Sequence, residues 1–440
     1  MLLIRDAIHS DIEINNFEEK IIRTKEMNRL HSIRQLGSTY LIYPSALHTR
    51  FEHSLGTLFM AKKMIGNIAK WGEYEFDEED RKYIPVLALL HDISHVPFGH
   101  TLEEDFQLIS GHDTKERIKR FLAGKEISSV LRENFSKEEI DEIVNILVTK
   151  NPENLQKPYL SEIIGDTICA DLLDYLKRDI YFTGLRRDYD ERILRYFNIK
   201  EYKGKYHLVL MLSEEGVRCH DVITEVENLI KIRYILAERV YCYHSKIAAD
   251  TMLGRAFEAL ELKEDFIEDK GDEELIQSLL EYSKRNNKRF SYKLLKRFRE
   301  RKLYREAYML TLDSFKKGDK VNQDELSEFV SKYRNILKCK LAEKCLLQNI
   351  KEAEEGDVLI FCHSLGMKLK AAEILGVDEN NMIDNLYNFR WAKTINDIMS
   401  QHESLWRFYV FSKLDILDKV TNECEKYFGK ANIIKQFLKK

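Results

Sequence analysis

The chain has 440 residues, of which 33% are charged and 44% hydrophobic, with a formal net charge of −4. That length supports two or three structural units, and the charge balance excludes a global pull towards nucleic acid. No apolar run approaches the roughly 18 residues that a membrane span requires.

The opening Met1-Leu2-Leu3-Ile4-Arg5-Asp6 is too short and too soon charged for a signal peptide. Seven cysteines without a Cys-x-x-Cys fit free thiols in a reducing compartment, so a soluble cytoplasmic protein without membrane partners is expected.

In chain order, residues 17–36 read as one helix, since Phe17, Ile21, Ile22, Met27, Leu30, Ile33 and Leu36 recur at helical spacing, with Gly37 as its cap. Residues 40–43 read as extended, ending at Pro44. A second helix starts near Thr49 and carries His53, Leu55, Leu58, Ala61 and Ile65; a third covers residues 80–91. Pro97 and Gly99 make residues 95–100 a loop. Residues 139–149, 159–180 and 219–262 read as helices, and residues 206–212 as a strand before a turn at Glu214-Glu215-Gly216.

All five prolines precede residue 160, so later helices run without that interruption. Beyond residue 270 the helices are Lys/Glu-rich, and residues 358–362 form a short apolar strand. The expected fold is mainly α: a helical core over residues 1–265, a helical extension over 266–345 and a small α+β region over 346–440.

The chemistry concentrates early, since six of the thirteen histidines fall within residues 48–112. In Leu89-Leu90-His91-Asp92-Ile93-Ser94-His95, the adjacent His91 and Asp92 would diverge by about 100° on a helix. Both can face one metal only near a helix end or kink, for which the coming Pro97 gives a reason. A bare His-Asp pair usually means a capping Asp beside a satisfied His. Here His53 upstream and Asp171 downstream add a third and a fourth candidate ligand, and His95, His100 and His112 lie within range. Two imidazoles and two carboxylates from separate helices can hold one divalent cation (Mn, Fe, Co, Ni, Zn or Mg) and leave positions for water and substrate. Asp174 is assigned to a different face of its helix from Asp171.

Ile8-His9-Ser10, Arg29-Leu30-His31-Ser32-Ile33-Arg34-Gln35-Leu36-Gly37 and His48-Thr49-Arg50-Phe51-Glu52-His53-Ser54-Leu55-Gly56 resemble the HD-domain dNTP triphosphohydrolases. So do His91-Asp92-Ile93-Ser94-His95-Val96-Pro97-Phe98-Gly99-His100 and Asp171-Leu172-Leu173-Asp174-Tyr175-Leu176-Lys177-Arg178-Asp179. The resemblance covers roughly residues 5–260 and is strongest to the prokaryotic branch, with no SAM domain expected ahead of the core.

It implies an HD-domain core with His53, His91, Asp92 and Asp171 as metal ligands. His95 would act with Glu103 beside the scissile phosphate, His100 near the 5′-oxygen, and His112 alongside. Arg50 and Arg233 would meet phosphate; Gln35, Leu36, Tyr175, Asp179 and Tyr241 would meet sugar and base, with Tyr175 closing off the 2′-hydroxyl position. Asp113 replaces a family Glu and Cys242 a glutamine. Leu172 stands where the family has a lysine, moving that charge to a residue such as Lys177 or His244.

The implied reaction is metal-dependent cleavage of a dNTP to deoxynucleoside and triphosphate. The alternatives are a nucleotidase or phosphodiesterase on another phosphoester, and a nucleotide-binding regulator with weak activity. The family also implies a homo-oligomer, dimer or tetramer, and a regulatory nucleotide. Residues 284–305 carry eleven Lys/Arg against Glu300, which fits a solvated helix first, a regulatory or oligomer contact second and nucleic acid last. The second His-Ser-Leu-Gly, at His363, lacks the charged neighbours of the first and is taken as coincidence.

Overall fold

The computed structural model describes residues 1–72, 74–165, 167–366 and 373–434. The expected fold class holds: a mainly helical core with a helical extension and small sheets towards the C-terminus. Among the described residues, no helix is long and apolar enough to cross a membrane. All seven cysteines are free thiols.

Three helices build the frame of the site. The Arg50–Trp71 helix starts where Thr49 and Glu52 form a reciprocal capping box, satisfying backbone N–H groups that a helix start leaves open. The Glu78–Leu90 helix starts the same way, from Asp77 and Asp80, and stops at Leu90. The Ala170–Thr183 helix is capped by the Cys169 thiol and closed by Gly184, whose φ of +71° suits the left-handed C-cap.

The 17–36 segment is not one helix. Asn16–Ile22 ends, Thr24 caps a new short helix at Lys25–Asn28, and a 3₁₀ turn at Arg29–Ser32 follows. Thr24 both accepts from the Met27 N–H and donates to the Ile21 carbonyl, so its local bonds break the helix despite the apolar spacing. Residues 40–43 are likewise not extended: Gly37–Leu41 is a 3₁₀ turn, and Gly37 opens it with φ +50°. The 159–180 helix divides into Tyr159–Gly165 and Ala170–Thr183. The 219–262 segment divides into His220–Leu236 and His244–Glu258, joined by a π turn at Ala237–Tyr241.

The sequence-predicted strand is Lys205–Met211, paired antiparallel with Phe197–Tyr202. The late strand Leu375–Val377 runs parallel beside it, so the C-terminal chain returns to the early sheet. The other predicted strand, Val358–Cys362, pairs with Arg407–Ser412, which pairs in turn with Arg305–Thr311. This return brings the end of the chain against the helical core.

Candidate metal centre

His91 caps the Glu78–Leu90 helix and Asp92 follows in the turn, so the helix end frees both side chains to converge, as their adjacency requires. His53, from the Arg50–Trp71 helix, places Nε2 3.2 Å from His91 Nε2. Asp171 Oδ1 lies 2.9 Å from His53 Nε2 and 3.9 Å from His91 Nε2. Asp92 Oδ1 is 3.6 Å from His91 Nε2, and its Oδ2 is 3.9 Å from His53 Nε2.

The tautomers follow from the other ring nitrogens. His53 Nδ1 donates to Asp174 Oδ2 at 2.7 Å, and His91 Nδ1 donates to the Ala88 carbonyl at 2.8 Å. With a cation bound, both Nε2 atoms would turn a lone pair to it alongside the carboxylates, an arrangement suited to a cation. Bonds of about 2.1 Å to one ion give ligand separations of roughly 3.0 Å at right angles and roughly 3.4 Å at tetrahedral angles. The observed separations lie around these values, and the donor set fits a divalent cation. Burial opposes charge on His53, but Asp171 and Asp174 outweigh it and drive the imidazole up to about 10 in the absence of a metal.

Asp171 and Asp174 share a helix face. Three residues apart, they grip opposite nitrogens of one imidazole, which corrects the assignment of Asp174 to another face. Asp174 also accepts from His9 Nε2 at 2.6 Å and from Arg178 Nε and Nη2 at 2.8 Å each; Arg178 reaches Asp6 at 2.9 Å. Gly56 makes this possible, because a Cβ there would stand 1.8 Å from Asp174 Oδ1.

Gln35, Leu36, Arg50, His53, Asp92, His95, His100, His112, Asp171, Tyr175, Asp179, Arg233 and Tyr241 all line one cavity of about 690 Å³. His91 and Glu103 support its wall from behind, through His53 and His112. Arg50 is buried and donates to Asp92 Oδ2 at 2.7 Å. Burial disfavours charge on Asp92, but Arg50, His95 and His91 hold its carboxyl well below the usual range. Arg233 has no carboxylate partner among the described residues. Leu172 lines the cavity.

Three imidazoles form the neighbouring wall. His95 stacks on His112 at 3.7 Å, and His100 stands edge-on to both, at 5.2 and 5.6 Å. Glu103 accepts from His112 Nδ1 at 2.8 Å and ion-pairs with Arg117 at 2.9 Å, so its hydrogen-bond partner is His112 and not His95. His95 instead meets Asp92 Oδ1 at 3.2 Å. Burial, Arg50 and His112 push His95 well below its ordinary value, keeping it neutral. His95, Glu103 and His112 form a second group whose ligand-type atoms lie within 4.8 Å of one another. His100, with a half-exposed side chain, pairs with Glu104 at 3.0 Å; partial desolvation lowers its pKa, but Glu104 outweighs that and raises it.

At the other side, Asp179 accepts from Tyr241 Oη at 2.6 Å and from His48 Nε2 at 2.8 Å. Burial, reinforced by Asp179, pushes the Tyr241 phenol well above its usual value, so it stays a donor. Gln35 leaves Oε1 buried without a partner beside the cavity.

Neither proposed replacement for the lysine lost at Leu172 reaches the cavity. Lys177 is held by Glu191 at 2.6 Å and lies over the Tyr189 ring, and His244 pairs with Glu306. Lys246 and Arg334 line the cavity instead, as do Glu104, Asp105 and His363. Glu104 was legible, four residues after His100 on one turn. Arg334 and His363 carry no local signal, and the second His-Ser-Leu-Gly does contribute its histidine to the cavity wall. Several charges of the 284–305 segment are tied down: Lys293 pairs with buried Asp357, Arg301 donates to the Leu41 carbonyl and Arg297 lies over Tyr304.

Comparison with known proteins agrees with this geometry. Residues 50–179 match the HD domain family. An uncharacterized protein of Methanocaldococcus jannaschii is 38% identical over 258 residues, covering 58% of this chain and 49% of that protein. An uncharacterized protein of Bacillus subtilis is 32% identical over 257 residues, covering 57% of this chain and 54% of that protein. The chain thus spans about half the length of these two relatives. A Dictyostelium discoideum protein named as a deoxynucleoside triphosphate triphosphohydrolase SAMHD1 homolog is 26% identical over 367 residues, 79% of this chain and 67% of that protein. A crystal structure of a hypothetical protein from Aquifex aeolicus shares the fold, with TM-score 0.68 at 21% identity over 96% of this chain and 99% of that one. The chain carries an HD-domain match over residues 50–179 and is distantly similar to the SAMHD1-type hydrolases, and its His/Asp clusters are consistent with a metal-dependent phosphohydrolase.

Proposed function

We propose that this protein cleaves deoxynucleoside triphosphates to deoxynucleoside and triphosphate. The observation that carries the reading is continuity: the His53/Asp92/Asp171 wall and the Asp179–Tyr241 pair open onto one cavity. A ligand with phosphate at one end and a sugar at the other fits such a cavity. The name of the Dictyostelium relative supports the same substrate class.

His53, His91, Asp92 and Asp171 would hold the cation, which when bound supplies positive charge that polarises phosphoryl oxygen and acidifies water. Arg233, with no carboxylate partner among the described residues, binds phosphate oxygens. His100, whose pKa the pairing with Glu104 raises, gives its proton to the departing 5′-oxygen. His95 and His112, stacked against each other, stand beside the scissile phosphate. Asp179 accepts from the 3′-hydroxyl, oriented by Tyr241 and His48, and Tyr175 excludes a 2′-hydroxyl.

Leu172 favours one second reading, a nucleotidase or phosphodiesterase on another phosphoester, because it removes a cation from the cavity. Incubation with each dNTP, each NTP and the deoxynucleoside monophosphates, with Mn or Mg, separates the two. Deoxynucleoside and intact triphosphate, lost in Asp92→Ala, is the expected result. Orthophosphate from monophosphates alone establishes the alternative.

A further inference from the structure

We propose that His363, just after the Val358–Cys362 strand, reads the nucleobase by accepting a hydrogen bond from an exocyclic amino group; this rests on the deoxynucleotide reading above. His363 comes from the C-terminal region, which carries none of the metal or sugar contacts. It is 6% exposed and lines the same cavity.

The ring is fixed from several directions. The backbone N–H and Nδ1 of His363 each donate to the Arg407 carbonyl at 3.1 Å, and the His363 carbonyl accepts from Trp406 Nε1 at 2.9 Å. Phe361 packs edge-on at 4.8 Å between ring centres. Nδ1 therefore carries the hydrogen and Nε2 a lone pair. Burial, with Lys246, Arg407 and Arg334 against the bond to Arg407, pushes the imidazole down to about 4, so it is a neutral acceptor at neutral pH. Nε2 has no hydrogen-bond partner among the described residues. A ligand in the cavity that presents a donor can therefore bond to it.

Its place in the cavity selects the base. From the metal centre the wall runs through His100 to Glu104, whose carbonyl accepts from Arg334 Nη2 at 3.1 Å. Arg334 Nη1 then reaches the Cys362 carbonyl at 3.4 Å, next to His363. With phosphate at the metal and sugar at Asp179–Tyr241, the end beyond Cys242 is left for the base. Burial pushes the Cys242 thiol up to about 11, leaving a neutral, weakly bonding group there. Lys246 at that end is engaged by Asp250 at 2.6 Å. A pre-set acceptor then rewards a base that presents an amino group.

The test compares deoxyadenosine triphosphate with the deoxypurine analogue lacking the 6-amino group. The full chain is used as wild type, as His363→Phe, which keeps a flat ring without an acceptor, and as His363→Gln, which restores an acceptor oxygen. kcat/KM is read on metal-loaded enzyme, and Kd by calorimetry on chelated protein, where hydrolysis does not intervene. Wild type is expected to favour the amino-bearing nucleotide by roughly tenfold, in KM more than kcat, and His363→Phe to shrink that to about twofold, with partial recovery in His363→Gln. A preference undiminished in His363→Phe, or none in wild type, overturns the base assignment and leaves the hydrolysis reading standing. Binding without turnover overturns the hydrolysis reading alone, and the Kd ratio then decides for or against His363. A wild type that neither binds nor turns over these nucleotides overturns both.

Discussion

His53 and Asp174 are joined by a hydrogen bond of 2.7 Å from the imidazole Nδ1 to carboxylate Oδ2, and this bond decides which nitrogen faces the metal centre. Asp174 is itself ionised: burial opposes its charge, but Arg178, His53 and His9 hold its carboxyl well below the usual range. Asp174→Asn removes the charge and leaves the shape. Metal affinity is expected to fall roughly 10–100-fold, as for other carboxylates that orient a ligating histidine. Competition with a chromophoric chelator measures it, and unchanged affinity would refute the orienting role.

Gly56 is the steric condition for that bond. An alanine Cβ would sit 1.8 Å from Asp174 Oδ1 and 2.5 Å from Arg178 Nη2. Overpacking of this kind costs about 1–3 kcal/mol or more. Gly56→Ala is expected to lower the urea midpoint and to bind less metal per chain, both read on one preparation.

Metal and fold are linked by mass action. A cation that binds only the folded chain adds about 2.7 kcal/mol when present at a hundred times its dissociation constant. Thermal melts with Mn and with EDTA should differ for wild type and coincide for His91→Ala. An EDTA-insensitive wild type melt would argue against a cation at this centre.

Asp272 gives stability a pH dependence of its own. It is 1% exposed and accepts from the Arg34 backbone N–H at 2.9 Å. Burial, offset only in part by Arg34, pushes its carboxyl up to about 7 from 3.8. The folded chain therefore holds a proton that the unfolded chain releases. This contribution is complete below about pH 4 and is lost as pH rises towards 7, at up to about 1.4 kcal/mol per unit. Urea titrations at pH 5 and pH 7.5 should show a smaller drop for Asp272→Asn than for wild type. Equal drops would assign the dependence elsewhere.

Tyr175 carries the sugar selectivity in the proposed reaction. Tyr175→Ala is expected to raise turnover of ribonucleotides relative to deoxynucleotides by at least about tenfold, a difference within reach of one steric contact. Parallel assays on ATP and dATP read the ratio directly, and an unchanged ratio removes Tyr175 from that role.

Local chemistry made the frame legible. Helical spacing and the crowding of histidines within residues 48–112 led to most of the helices and to a His/Asp metal centre before any contact was known. Local spacing misled where side chains compete with the backbone, as at Thr24, whose hydroxyl splits an apolar stripe that reads as one helix.

What pattern alone left undecided were relations between distant segments. His53 meets Asp174 across 121 residues, Gly56 has no side chain because that carboxylate fills the space, and Arg334 meets Glu104 across 230. His363 looked like a coincidental repeat because no charged pair stands just before it as Arg50 and Glu52 stand before His53, yet chain return along the Val358–Cys362 strand carries it to the cavity. Backbone propensity and capping act within a few residues, so they are written locally. Which buried donor meets which acceptor depends on how the helices and sheets pack, and only the folded chain settles that.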